Sequence, residues 1–159
     1  MSQSRPGEHV IAQRLCDHPV PAKVDLVRLP HAYTELYADV ASRAGTEIPA
    51  VCLVCGEVLN AHGNGECTRH AEACGCGVGI VFLLQECLVL LIHGKRAAYF
   101  TSPYVDAYGE RHRNHRARPL FLDQRRYGVI RGLWVKHLVA HEVVQSRSTS
   151  RQVIINEYY

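Results

Sequence analysis

The sequence predicts an α+β fold: a small antiparallel β-meander flanked by helices and preceded by a cysteine-rich segment. Three observations predict it. Apolar residues recur at helical spacing over 29–40 and again over 127–138, and three short apolar or mixed runs lie between 79 and 100. Five of the seven cysteines fall between Cys52 and Cys76, in a stretch rich in Gly and Asn.

Residues 1–23 mix polar residues with Pro6, Pro19 and Pro21 and hold no sustained period, so they read as a loose N-terminal arm ahead of a single domain over 24–159. In the first helix, Leu29, Tyr33, Leu36, Tyr37 and Val40 mark one face, with Pro30 suited to the first turn and Gly45 to the stop. The cysteine-rich stretch has too few apolar side chains to order itself alone. The meander follows, with strands near 79–84, 87–92 and 95–100, broken at Gln85-Glu86 and His93-Gly94. A long loop punctuated by Pro103, Gly109 and Pro119 leads to a second helix. That helix is capped by Asp123, runs to about His141, and buries Tyr127, Ile130, Leu133, Trp134 and Leu138. The tail "RQVIINEYY" reads as a last strand or a docked extension.

Composition excludes several classes. A hydrophobic fraction of 47% with 21% charged residues is that of a globular chain able to build its own core. The sequence holds no run of about 18 apolar residues, the length needed to span a membrane. The N-terminus lacks the apolar stretch of a secretory signal. An odd cysteine count without a signal points to a reducing compartment, cytoplasmic or nuclear, and to thiols or metal ligands rather than disulfides. A net charge of +3 is too mild to imply nucleic acid.

The cysteine cluster has metal-ligand spacing. Cys52-x2-Cys55 ends in Gly56, which permits a tight knuckle, and eleven residues later comes Cys67-x2-His70. Two short-spaced Cys/His pairs are the pattern of a structural zinc site, so one Zn2+ held by Cys52, Cys55, Cys67 and His70 is expected. His70-x3-Cys74 is the alternative second pair and would release Cys67; the matching x2 spacing favours Cys67. His62 reads as a solvated loop residue. Use of Cys52-Cys55 as a redox pair would need a helix N-terminus in a βαβ setting, which is absent. "HAE" at 70–72 is similar to the H-x-E of zinc deaminases, but their second cysteine pair lies downstream and this one lies upstream. Four protein ligands leave no open position for an activated water, so the metal is structural.

Taken together, "PAVCLVCGEVL", "GECTRHAEACGCGVGIVFLL", "SPYVDAYGE" and "RPLFLDQRRYGVIRGLWVKH" resemble, in order and spacing, the C-terminal region of UBR-family N-recognin ubiquitin ligases, from about Leu26 to His141. Family members carry an earlier cysteine pair where this chain reads "ASRAGTEIP", and further cysteines where it reads "EVLNAHGNGE". If the family site is RING-like, those losses delete one metal and leave one. After "GE" the family tends to be acidic, whereas this chain reads "RHRNHRAR".

The resemblance implies part of the N-degron ubiquitination machinery, acting as a scaffold or protein-interaction surface. Its expected partners are a ubiquitin-conjugating enzyme or the remainder of a larger ligase. Such a part needs no nucleophile, and neither Cys16, in the arm, nor Cys87, read as mid-strand, is expected to carry ubiquitin. Leu53 and Val54 beside the knuckle are expected to face partners; Tyr104, Asp106, Tyr108 and Glu110 after the meander are candidates for the same role, against the reading in which Tyr104 and Tyr108 pack over the sheet and Asp106 caps a turn. A contrasting reading is a zinc-containing nucleic-acid-binding module using Arg111, Arg113, Arg116 and Arg118 with His112 and His115. Those six residues lack aromatic interleaving.

Overall fold

A computed structural model describes residues 25–45, 48–62, 65–111, 118–148 and 153–155. The proposed arm, including Cys16, and residues 112–117 of the basic strip lie outside them. The elements run α1 (Tyr33–Arg43), β1 (Pro49–Cys52), β2 (Val58–Asn60), α2 (Glu66–Gly75), β3 (Val78–Leu83), β4 (Leu88–His93), β5 (Arg96–Phe100), β6 (Tyr104–Val105), β7 (Phe121–Leu122), α3 (Gln124–Val135), α4 (Val139–Ser148) and β8 (Val153–Ile155). The α+β class is the predicted one.

The meander forms as read, one residue from the expected bounds at most termini, with Val81 opposite Leu90 and Leu91 opposite Ala98. β1 adds to it antiparallel to β3, β2 pairs with β1, and β8 pairs with β5, giving a six-stranded sheet in the order β2-β1-β3-β4-β5-β8. The last strand is therefore the tail's fate. β3, and β4 up to its exposed last residue His93, are apolar because both their faces are covered. Alternation along β3 sends Gly79 and Phe82 to opposite faces. On one face Phe82 meets Tyr33 edge-on at 6.4 Å and Tyr104 at 5.7 Å between ring centroids. On the other, Gly79 receives Ala71 of α2.

Two helix boundaries differ from expectation. α1 starts at Tyr33, so Pro30 lies ahead of the first turn. Residues 30–33 are occupied instead: the Tyr104 hydroxyl donates to the Pro30 carbonyl, Leu122 N–H to His31 and Tyr33 N–H to Leu120. Tyr37, assigned to the buried face, is 44% exposed beside the true stripe of Tyr33, Leu36 and Val40. Asp123 caps α3 as predicted, its carboxylate accepting from the N–H groups of Arg125 and Arg126. The single helix expected to His141 is two. His137 adopts φ 56°, and bonds from His137 N–H to Trp134 and from Leu138 N–H to Leu133 close α3 as a Schellman motif. Leu138 lies after that break and is exposed, whereas Tyr127, Ile130 and Trp134 are buried.

The cysteine-rich stretch is more ordered than its composition suggests. It forms a hairpin and a helix, and both are held by the sheet rather than by themselves.

Candidate metal centre

β1 ends at Cys52, and the chain turns at once: Gly56 N–H donates to the Cys52 carbonyl (2.8 Å) and Cys52 N–H to the Glu57 carbonyl (2.9 Å). Gly56 takes φ +82°, the left-handed conformation the turn requires. This knuckle presents Cys52 and Cys55. α2 presents the other half, since His70 and Cys74 stand four residues apart and so share one face, one turn above the other. α2 is positioned by Gly79, which leaves room for Ala71, and by Trp134, whose ring lies 3.2 Å from where a Cβ on Gly75 would sit.

The Sγ atoms of Cys52, Cys55 and Cys74 and a ring nitrogen of His70 all lie within 4.8 Å of one another. Cys55 Sγ is 3.2 Å from His70 Nε2. A tetrahedral zinc shell with Zn–S bonds of about 2.3 Å would set its ligand atoms roughly 3.7 Å apart, a spacing between the 3.2 Å of that pair and the 4.8 Å limit of the cluster. Three thiols and an imidazole are also the borderline-soft donors zinc favours. Burial pushes the Cys52 thiol well above its ordinary value; the N–H groups of Cys55 and Val54 pull it down, and the neighbouring Cys55 and Cys74 sulfurs push it up again. A dication would reverse that sulfur–sulfur repulsion and hold the thiolates. The donor set fits zinc, which here would supply a tetrahedral cross-link between knuckle and helix and no open coordination position.

Cys67 is not in this group. It is buried one helical turn before His70, its Sγ lying 3.6 Å from the Asn60 carbonyl oxygen, and burial followed by the Glu66 charge pushes its thiol up to about 12. The x2 spacing with His70 would suit an irregular knuckle. In a helix, Cys67 and Cys74 stand about 10 Å apart along the axis, and the knuckle meets only the later turns. His62 is exposed and lies 3.4 Å from Glu86. Glu57, absent from the sequence reading, places a carboxylate oxygen 3.4 Å from His70 Nδ1. No sequence spacing marks it, because the hairpin and helix must first be docked.

The expected partner-facing residues divide. Leu53, Val54 and Tyr104 are buried, so their side chains form core and not surface; the first two open the turn after β1 and the third begins β6. Asp106 is also buried, as a turn organiser: it accepts from the N–H groups of Tyr108 and Glu110 and from Arg118. Tyr108, 78% exposed with the Arg118 guanidinium 5.0 Å from its ring centroid, and Glu110 remain at the surface. Arg118 is thus engaged within the chain while still half-exposed, and Arg111 is partly buried; the other residues of the basic strip lie outside the described ones. Cys87 lies in the β3–β4 turn at φ 50°, not mid-strand, where burial pushes its thiol up and the Ser102 hydroxyl sits 3.3 Å away. Among the described residues, no helix is long and apolar enough to cross a membrane.

A family model described as Proteolysis_6 C-terminal matches residues 2–136. The chain is similar to the human E3 ubiquitin-protein ligase UBR2, 31% identical over 149 aligned residues that cover 81% of this chain and 8% of that protein. It is similar to Caenorhabditis elegans E3 ubiquitin-protein ligase ubr-1, 31% identical over 165, covering 90% and 8%. It is also similar to mouse E3 ubiquitin-protein ligase UBR1, 34% identical over 118, covering 66% and 7%. The chain therefore spans less than a tenth of each relative's length.

Proposed function

The chain belongs to the Proteolysis_6 C-terminal family, and from that membership we propose that it is a zinc-stabilised module of a UBR-type E3 ubiquitin ligase of the N-degron pathway. Residues 24–159 act as one scaffold or protein-interaction unit. The observation that carries this reading is the convergence of Cys52, Cys55, His70 and Cys74 from two separate elements. One zinc at that point ties the β1–β2 knuckle to α2. The residues of this chain do no bond-making: they hold a surface in place, against which a ubiquitin-conjugating enzyme or the rest of a UBR-type ligase docks. Of the positions considered for that contact, Tyr108 and Glu110 are the ones presented to solvent.

Metal analysis of the purified chain tests the centre. One zinc per chain, lost with Cys55→Ser, is the expected result; no zinc, or unchanged affinity in that variant, sinks it. Single-turnover discharge from a panel of ubiquitin-charged conjugating enzymes tests the activity. Weak or no discharge is expected from a module with one metal. Clear stimulation abolished by Cys55→Ser would make the chain a minimal ligase instead.

A further inference from the structure

Glu57 stands where a residue controlling the metal ligand His70 would stand. Its carboxylate Oε2 is 3.4 Å from His70 Nδ1, while the opposite ring nitrogen, Nε2, faces Cys55 Sγ at 3.2 Å. The imidazole is therefore held between an acceptor on one side and the sulfur cluster on the other. His70 has a side chain only 12% exposed, which leaves water little access to compete at the ring; Glu57 is 64% exposed, free to adjust its rotamer by the few tenths of an ångström that a direct hydrogen bond needs. Its backbone has no such freedom, because the Glu57 carbonyl accepts from Cys52 N–H, the amide of the first ligand. Among the described residues no other ion pair involves Glu57.

We infer that Glu57 is the positioning residue of the metal centre: it holds His70 as the Nδ1–H tautomer and directs Nε2 to the metal. An imidazole that ligates through one nitrogen commonly donates its other N–H to a carboxylate, which fixes ring orientation and raises ligand basicity. Here the same residue joins the two halves of the site, through its main chain to Cys52 and through its side chain to His70. The inference rests on the zinc reading above, and it assigns a role to a residue outside the four ligands.

The test is a competition titration of zinc against a chromophoric chelator for the full 159-residue chain and three variants. Glu57→Ala is expected to weaken zinc binding roughly ten- to a hundredfold, and Glu57→Gln less, because the amide oxygen still accepts. Glu72→Ala, which removes an exposed carboxylate from α2 two residues beyond His70, is expected to change affinity by less than about twofold, the scale of a screened surface charge. Long-range 1H–15N correlation of the His70 ring supplies the second readout: Nδ1 protonated and Nε2 ligating in the wild type, with that preference weakened in zinc-free Glu57→Ala. A metal-bound Nδ1, or equal losses for Glu57→Ala and Glu72→Ala, would overturn the inference while leaving the zinc reading intact. A wild-type chain that binds no zinc overturns the zinc reading itself.

Discussion

Gly79→Ala tests whether the proposed metal ligands on α2 depend on one close approach between helix and sheet. An alanine Cβ at position 79 would lie 2.8 Å from the Ala71 Cβ, 3.7 Å from the Ala71 Cα and 3.8 Å from the Ile92 Cβ. Ordinary contact begins near 3.4 Å, so α2 must retreat by about 0.6 Å, the difference between 3.4 and 2.8. Neither side can absorb this by rotating a side chain, because both contacts are Cβ atoms fixed to backbone. Overpacking of this kind costs about 1–3 kcal/mol. The same retreat carries His70 and Cys74 away from Cys52 and Cys55, whereas metal–ligand distances tolerate only about 0.2 Å. Gly79→Ala is thus expected to lower both the denaturation midpoint and zinc affinity. Ala71→Gly alone should cost about 1 kcal/mol in helix propensity, yet combined with Gly79→Ala it should recover part of the loss. Urea denaturation of wild type and the three variants, with parallel zinc titrations, measures both effects. A Gly79→Ala protein within about 0.5 kcal/mol of wild type and with unchanged zinc affinity would refute the reasoning.

Further outcomes follow from other positions. Cys67→Ala should keep one zinc per chain, whereas Cys74→Ser should lose it; metal content of the two proteins separates the two ligand sets directly. Asp123→Ala removes the cap that accepts from Arg125 and Arg126 and should cost about 1 kcal/mol, read by thermal or chemical denaturation. Asp106 is held below its ordinary 3.8 by the Glu110 N–H, with Arg118 and the Tyr108 N–H adding to it against the cost of burial. A folded-state value lowered in this way stabilises the fold fully above the unfolded value and loses that contribution as pH falls through the folded one. Tyr108 and Glu110 amide signals should therefore shift below about pH 4, and Asp106→Asn should abolish that titration.

The meander was legible because β3 and β4 are short apolar runs with turn residues between them, a local pattern needing no knowledge of neighbours. The Asp123 cap was legible for the same reason. The break at His137 was not: the residues that close α3 do so through a left-handed histidine, a conformation with no strong sequence mark, while Gly128 and Gly132, residues of low helix propensity, remain helical. In the cysteine-rich stretch, spacing identified Cys52, Cys55 and His70 as neighbours but favoured Cys67 as the fourth, where the structure brings Cys74. That choice depends on whether 66–75 is loop or helix, and the helix is held by packing on Gly79 of β3 and on Trp134, the latter nearly sixty residues away. Leu53 and Val54 were misplaced on the surface because a knuckle read in isolation has no inside; β3, which accepts Leu53 N–H at the Ile80 carbonyl, gives it one.

The strand order β2-β1-β3-β4-β5-β8 also separates the chain by folding distance. β3, β4 and β5 follow one another through tight turns, so their pairing closes only short loops. β1 reaches β3 across the whole of α2, and β8 reaches β5 from more than fifty residues away. Contacts between near neighbours in sequence form at smaller entropic cost than those between distant segments. The central three strands can therefore hold together before either flank has docked, and each flank can open without dissolving them. Amide hydrogen exchange should be slowest in β3–β5 and faster in β1, β2 and β8, with chelation accelerating the β1–β2 and α2 side alone. Metal loss would then leave a chain still folded at its centre and loosened along one border.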